Sequence, residues 1–224
     1  MKTETVPVIA VDGPSGTGKG TVAARVAQVL NFHLLDSGVL YRLLGIAVLK
    51  AGIGLDNGQA VAGLAKGLNI SFSSAELGTV LLDGEDVSLQ IRTEEGSNMA
   101  SRVGAIPEAR SALLERQLGF RKPPGLVADG RDMGTVVFRD AVLKIFLTAS
   151  LEERAQRRYK QLIDKGIDAK MSILLQELRE RDARDSKRKA SPMIPAADAF
   201  VLDTTDLAES EVASQVMQLV RNAL

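Results

Sequence analysis

Apolar residues in this chain fall into short runs separated by longer stretches of helical periodicity. The first run, Val6 to Val11, is rich in β-branched residues and ends in a glycine-rich turn. Apolar positions then recur at Val22, Val26, Val29 and Leu30, as on one face of a helix. This reads as strand, loop, helix. Four further runs, His33 to Leu35, Leu126 to Ala128, Val142 to Leu147 and Ala199 to Leu202, have the continuous apolar character of strands buried on both faces. Helical patterns separate most of these five runs, and the alternation predicts an α/β fold, a parallel sheet with helices on both faces. Right-handed crossovers then gather the strand C-termini along one edge, where such proteins bind ligands.

One stretch breaks the rhythm. Asn69 to Ser74 reads as a strand, and Thr79 to Leu82, Asp83-Gly84 and Glu85 to Val87 read as a hairpin with a tight turn. An antiparallel insertion of this kind suits a substrate-binding element. Pro123-Pro124-Gly125 is a loop before a strand, and Ser150-Leu-Glu-Glu153 is a capping-box pattern opening a helix. No internal repeat or low-complexity tract interrupts the chain.

Composition narrows the classes. With 224 residues, 45% hydrophobic and 25% charged, the chain is long and apolar enough for one folded α/β core with insertions. Its 28 Lys and Arg cancel 28 Asp and Glu, so no global field draws it to nucleic acid or to anionic lipid, and an anion site must be built locally. The positive charge collects between Glu152 and Lys189, with 12 Lys or Arg against 8 Asp or Glu. The absence of cysteine excludes disulfides and thiolate metal sites. No run of 18 apolar residues appears, and the polar start, Met1 to Pro7, does not fit a signal peptide. A cytoplasmic protein without membrane or nucleic-acid partners is expected.

The strongest local signal is Gly13-Pro14-Ser15-Gly16-Thr17-Gly18-Lys19-Gly20-Thr21, a G-x-x-x-x-G-K loop between a strand and a helix. Gly13, Gly16 and Gly18 let the backbone turn several N–H groups inward, and the helix that follows adds its N-terminal donors and positive dipole end. Lys19 supplies a point charge for β- and γ-phosphates. Gly20 stands where the commonest form of this loop has a Ser or Thr to ligand Mg²⁺, and the hydroxyl comes one residue later at Thr21. Together with the lack of an Asn-Lys-x-Asp motif, this disfavours a GTPase.

The loop resembles that of nucleoside monophosphate kinases, and four further segments resemble bacterial cytidylate kinases: Leu35-Asp-Ser-Gly-Val-Leu-Tyr-Arg42, Ile91-Arg-Thr93, Ala128-Asp-Gly-Arg-Asp-Met-Gly-Thr-Val-Val-Phe138 and Glu180-Arg-Asp-Ala-Arg-Asp185. The closing Pro195-Ala-Ala-Asp-Ala extends the likeness, which runs from about Val8 to the C-terminal helix. The resemblance implies one P-loop kinase domain over 1–224, with a parallel five-stranded core, an antiparallel acceptor-binding insertion over 37–110 and a short helical lid over 150–170. It implies transfer of the γ-phosphoryl of ATP to CMP and dCMP, with Mg²⁺ held mainly by nucleotide phosphates and water. Nucleotides are the expected partners, and a monomer is expected. The alternatives are a UMP/CMP kinase of broader specificity and, in another class, an ATP-binding regulator without enzymatic activity.

Residue by residue, the resemblance places Ser37, Arg42 and Arg131 on the acceptor phosphate, where guanidinium forks grip two oxygens at once. It places Ser101, Arg110 and Asp132 on the base; a carboxylate accepting from the cytosine amino group while Arg110 and Ser101 donate to N3 and O2 would penalise uracil. Arg181, Arg184, Asp185 and Arg188 share a helix face by spacing, which on its own is an ordinary salt-bridged surface. The resemblance moves Arg181, Asp185 and Arg188 next to the acceptor, with Asp185 on the sugar hydroxyls. Arg154, Arg157 and Arg158 also share a face, and with Lys19 and Arg131 they are the candidates for stabilising charge on the transferring phosphoryl. Asp129 is suited to orienting water around the metal, to holding Arg131 or to capping a turn. His33 is expected to be structural, and Tyr41 and Tyr159 have no assigned role.

Overall fold

The computed structural model describes residues 6–72, 79–164, 166–188 and 190–224. Along the chain run β1 (Val8–Asp12), α1 (Lys19–Leu30), β2 (His33–Asp36), α2 (Ser37–Ala51), α3 (Gly58–Gly67), β3 (Ile70–Phe72), β4 (Val80–Leu82) and β5 (Glu85–Asp86). There follow α4 (Glu94–Val103), α5 (Pro107–Leu118), β6 (Leu126–Gly130), β7 (Leu143–Thr148), α6 (Leu151–Ile163), α7 (Met171–Ser186), β8 (Phe200–Asp203) and α8 (Glu209–Ala223). The chain divides into two units, Met1–Asp36 with Leu118–Leu224, and Ser37–Gln117. The insertion expected over 37–110 falls inside the second.

In the first unit the expected sheet forms, five parallel strands in the order β2-β6-β1-β7-β8. The step from β1 to β2 travels one way along this order and the step from β7 to β8 the other. Right-handed crossovers therefore put α1 and the α6–α7 pair on opposite faces. Ile9 and Val11 point into a core shared with Val22 and Val26 of α1 and Val212 and Val216 of α8. Val8 and Ala10, equally buried, face the other side by the alternation of a strand. Burial on both faces explains why these strands carry no polar alternation.

Every strand of this sheet runs further towards its C-terminus than its apolar run does. β1, β2 and β8 end on Asp12, Asp36 and Asp203, β6 takes in Asp129 and Gly130, and β7 ends on Thr148. The ladder pairs Val11 with Asp129 and Asp36 with Asp129. Hydrogen bonding continues where hydrophobicity stops, because the C-terminal edge carries polar chemistry instead of core.

The second unit packs α2 to α5 over a three-stranded antiparallel sheet, β3-β4-β5. Leu43, Leu44, Val61, Leu82, Val103 and Leu113 are among its buried residues. Leu82 pairs with Glu85 across Asp83-Gly84, and both turn residues have positive φ (53° and 84°), as a two-residue hairpin requires. The strand expected to reach Ser74 is seen as Ile70–Phe72, and residues 73–78 lie outside the described ones. Side-chain caps set two helix starts: Asn57 Oδ1 accepts from Ala60 N–H at 3.1 Å, and Thr93 Oγ1 from Gly96 N–H at 3.0 Å.

Candidate active site

The phosphate loop leaves β1 through Gly13, whose φ is 144°. A Cβ added there would lie 2.1 Å from the Leu147 carbonyl oxygen, so the loop begins pressed against β7 and only glycine fits. Gly16 and Gly18 also have positive φ, and α1 begins at Lys19. Thr17 Oγ1 and Lys19 Nζ both donate to the Pro14 carbonyl, at 3.2 and 3.1 Å. Lys19 is buried; burial, then the positive charges of Arg131 and Arg181, push its ammonium down to about 7, against the pull of Asp129 and Asp36.

The outward-turned carbonyls of the loop meet protein donors. Arg154 Nη1 donates to Ser15 O at 3.2 Å and Thr204 Oγ1 to Thr17 O at 3.3 Å. Arg154 is almost wholly buried; its Nε reaches Ala149 O at 3.1 Å, and its fork grips Asp182 at 3.2 and 2.6 Å. Arg157 donates to Glu153, to Thr204 Oγ1 at 3.1 Å and to Thr204 O at 2.5 Å. Ser150 caps α6 by accepting from Glu153 N–H at 3.2 Å, while the Glu153 carboxylate accepts from Arg157. Of the α6 arginines, Arg154 and Arg157 thus bond protein acceptors around the loop, and Arg158 is half-buried.

Four of the residues expected at the acceptor gather in the first unit. Asp185, 1% exposed, accepts from Arg131 Nε at 3.1 Å and from Arg188 Nη2, and Arg181 Nε stands 4.0 Å away. Arg131 also donates to its neighbour's carbonyl, Gly130 O, at 3.1 Å. Three guanidinium groups around one carboxylate leave an excess of two positive charges, which matches a phosphate monoester dianion. The cluster reaches the loop: Arg181 Nη1 is 3.4 Å from Ser15 Oγ. Arg188 is not on the helix face that its spacing suggests, because α7 ends at Ser186. The chain turns there and folds back, Met193 N–H donating to Asp185 O at 3.1 Å, and Arg188 approaches Asp185 from beyond the helix. Arg184 lies apart, 4.0 Å from Glu180.

Asp132 is buried and directly precedes a π-helical turn, Met133–Val137. In the second unit, Ser37 opens α2, Ser101 is buried on α4, and the Arg110 guanidinium lies 5.6 Å from the centre of the Tyr41 ring while donating to Gly104 O at 3.3 Å. Arg42 Nε is buried with no hydrogen-bond partner among the described residues, a donor that an anion would satisfy. Sequence reasoning gave no role to Tyr41, Thr204 or Asp182, because each meets a partner far along the chain: Arg110, Thr17 and Arg154 respectively. His33 Nε2 lies 2.9 Å from the Pro123 carbonyl oxygen, which ties the start of β2 to the loop before β6.

Among the described residues no group of three or more His, Asp or Glu side chains is arranged to chelate a metal. A Cβ on Gly20 would lie 3.3 Å from Asp129 Oδ2, so a carboxylate stands beside the position where other loops of this kind present a hydroxyl. Asp129 with Asp36, its register partner, offers hard oxygen donors of the kind that hold a hydrated Mg²⁺. Among the described residues no helix is long and apolar enough to cross a membrane.

The family model for cytidylate kinase matches residues 9–222. Curated cytidylate kinases from Shewanella frigidimarina (54% identical, covering 97% of this chain and 96% of that one), Paraburkholderia phymatum (56%, covering 96% and 93%) and Klebsiella pneumoniae (51%, covering 99% and 98%) are similar over nearly their whole lengths. A solved gluconokinase from Sinorhizobium meliloti 1021 is more distant, 16% identical over 98% of this chain and 94% of that one with a TM-score of 0.48. Identity above half over nearly the full length, on a chain that carries the loop and the arginine cluster, settles the relationship: the chain belongs to the cytidylate kinase family.

Proposed function

We propose that the protein transfers the γ-phosphoryl of ATP to CMP and dCMP, releasing ADP and CDP or dCDP. One observation carries the mechanism: the arginine cluster assigned to the acceptor reaches the donor loop, Arg181 to Ser15 at 3.4 Å. Two polyanions meet only where their charge is neutralised from both sides. The loop from Gly13 to Thr21 supplies backbone N–H groups and the Lys19 ammonium to the donor phosphates. Arg131, Arg181 and Arg188 supply the acceptor side, gathered around Asp185, which is assigned to the sugar hydroxyls.

The attacking group is an oxygen of the CMP phosphate, already ionised near neutral pH because its second pKa is about 6. No general base is required, and catalysis consists of positioning plus stabilisation of charge on the equatorial oxygens. Lys19 and Arg131 are assigned to that charge. Arg154, Arg157 and Arg158 of α6 complete the set, Arg154 through the loop backbone that it holds. Mg²⁺ would neutralise the phosphates of ATP, held by them, by water and by Asp36 and Asp129. On their match to the family's positions, Ser37 and Arg42 are assigned to the acceptor phosphate, and Ser101, Arg110 and Asp132 to the base.

Asp132→Ala tests the base assignment. Loss of a buried acceptor for the cytosine amino group is expected to lower kcat/KM for CMP by roughly 10- to 100-fold and to reduce the preference for CMP over UMP. Equal activity of Asp132→Ala and wild type on CMP removes Asp132 from the site.

A further inference from the structure

Asp12, the last residue of β1, does not contact the sheet edge as an idle polar residue. Its carboxylate crosses to the segment after β6 and accepts from two consecutive amides, Met133 N–H through Oδ1 and Gly134 N–H through Oδ2, each at 2.8 Å. These amides open the π-helical turn, whose first donors have no partner within the turn itself. Asp12 thus acts as a cap supplied by a different strand.

The turn is held at both ends. The Asp132 carbonyl accepts from Val136 N–H at 2.9 Å and Val137 N–H at 3.2 Å, and Met133 and Phe138 are buried in the core. Asp132 and Arg131 sit immediately before the amides that Asp12 grips. Space for that grip depends on Gly134: an added Cβ would lie 3.2 Å from the Lys144 stem and 3.5 Å from Asp12 Oδ2. Burying a carboxylate here is costly. Burial pushes the Asp12 carboxyl up to about 7, with smaller rises from Asp132 and Asp129, against the lowering by the Gly134 and Met133 amides. Those two bonds are what the buried charge provides in return.

We infer that Asp12 is a positioning residue for the base-reading segment: by holding the amides of Met133 and Gly134 it fixes the direction in which Asp132 and Arg131 face the acceptor nucleotide. The inference rests on the assignment of Arg131 and Asp132 to the acceptor. Because Asp12 also directly precedes Gly13, one carboxylate links the start of the donor loop to the acceptor segment.

Asp12→Asn is the test, on the full chain at pH 8. Asparagine keeps one acceptor and turns an NH₂ towards the other backbone donor, so one of the two bonds is lost. KM for CMP is expected to rise about tenfold and the ratio of kcat/KM for CMP to that for UMP to fall about as much, with KM for ATP within about threefold of wild type. A general loss of folded protein lowers kcat for all substrates alike and leaves that ratio unmoved. Amide exchange at Met133 and Gly134, which reads the contact without reference to any substrate, is expected to accelerate about tenfold or more. An unchanged CMP/UMP ratio, or a KM for ATP that rises as much as that for CMP, overturns the inference. Should Asp12→Asn not fold, Gly134→Ala presses on the same contact from the other side and is expected to lower the ratio likewise; an unchanged ratio there overturns it equally. Wild-type protein that fails to phosphorylate CMP overturns the function itself, a result separate from these.

Discussion

Arg154 and Ser15 are joined across 139 positions of sequence: the Arg154 Nη1 donates to the Ser15 carbonyl at 3.2 Å, on the outer side of the phosphate loop. In a trans peptide the carbonyl and the next N–H point in opposite directions. A cation on Ser15 O therefore polarises the Gly16 N–H, which is directed the other way. The resemblance offers Arg154 as a stabiliser of the transferring phosphoryl; here its guanidinium bonds the loop backbone at Ser15 O and the Asp182 carboxylate.

Arg154→Lys keeps the charge and loses the fork that binds Asp182. It is expected to raise KM for ATP about tenfold while leaving KM for CMP within about twofold. Steady-state kinetics with each substrate varied in turn checks this. Arg154→Ala also leaves a partly buried Asp182 without its partner and should cost about 3 kcal/mol in urea denaturation.

Gly13→Ala places a methyl group 2.1 Å from the Leu147 carbonyl oxygen at a φ of 144°. The loop and β7 must separate, and a loss of about 3 kcal/mol or more is expected, with ATP binding abolished. Urea denaturation and ATP titration of the same preparation measure both. A variant as stable as wild type contradicts the packing described here.

The five strands, their parallel direction and the phosphate loop were legible because apolar runs and glycine spacing are local signals, whereas the order β2-β6-β1-β7-β8 was not. Their C-terminal ends were not, since Asp12, Asp36 and Asp203 read as interruptions of an apolar run although the ladder continues through them. The same bias hid Asp12, whose function lies in a bond to residues 121 and 122 positions away. Arg188 matched a helical spacing that the helix does not sustain, because α7 stops at Ser186 and the chain folds back over Asp185. The pairing of Arg110 with Tyr41 joins two helices and leaves no periodic trace. Chemistry placed by tertiary contact is invisible to spacing.

Lys19 links the site to pH. Burial, then Arg131, holds its ammonium down at about 7, against 10.5 when exposed. At pH 8 the unliganded protein carries it mostly neutral, whereas bound triphosphate favours the charged form, so ATP binding is expected to take up a proton. Affinity for ATP should fall as pH rises above 7. Calorimetry at pH 8 in buffers of different ionisation enthalpy reads the uptake directly, and heats independent of buffer contradict it. The stability sign is opposite to that of a paired lysine: the unfolded chain binds this proton more tightly, so the cost of burying Lys19 is full below about 7 and fades as pH rises towards 10.5.

The most direct measurement follows both products when purified protein is given ATP, Mg²⁺ and CMP. Phosphorylation of CMP predicts one CDP for each ADP, with little ADP formed when CMP is omitted. ADP released at the same rate with or without CMP, and no CDP, contradicts the account.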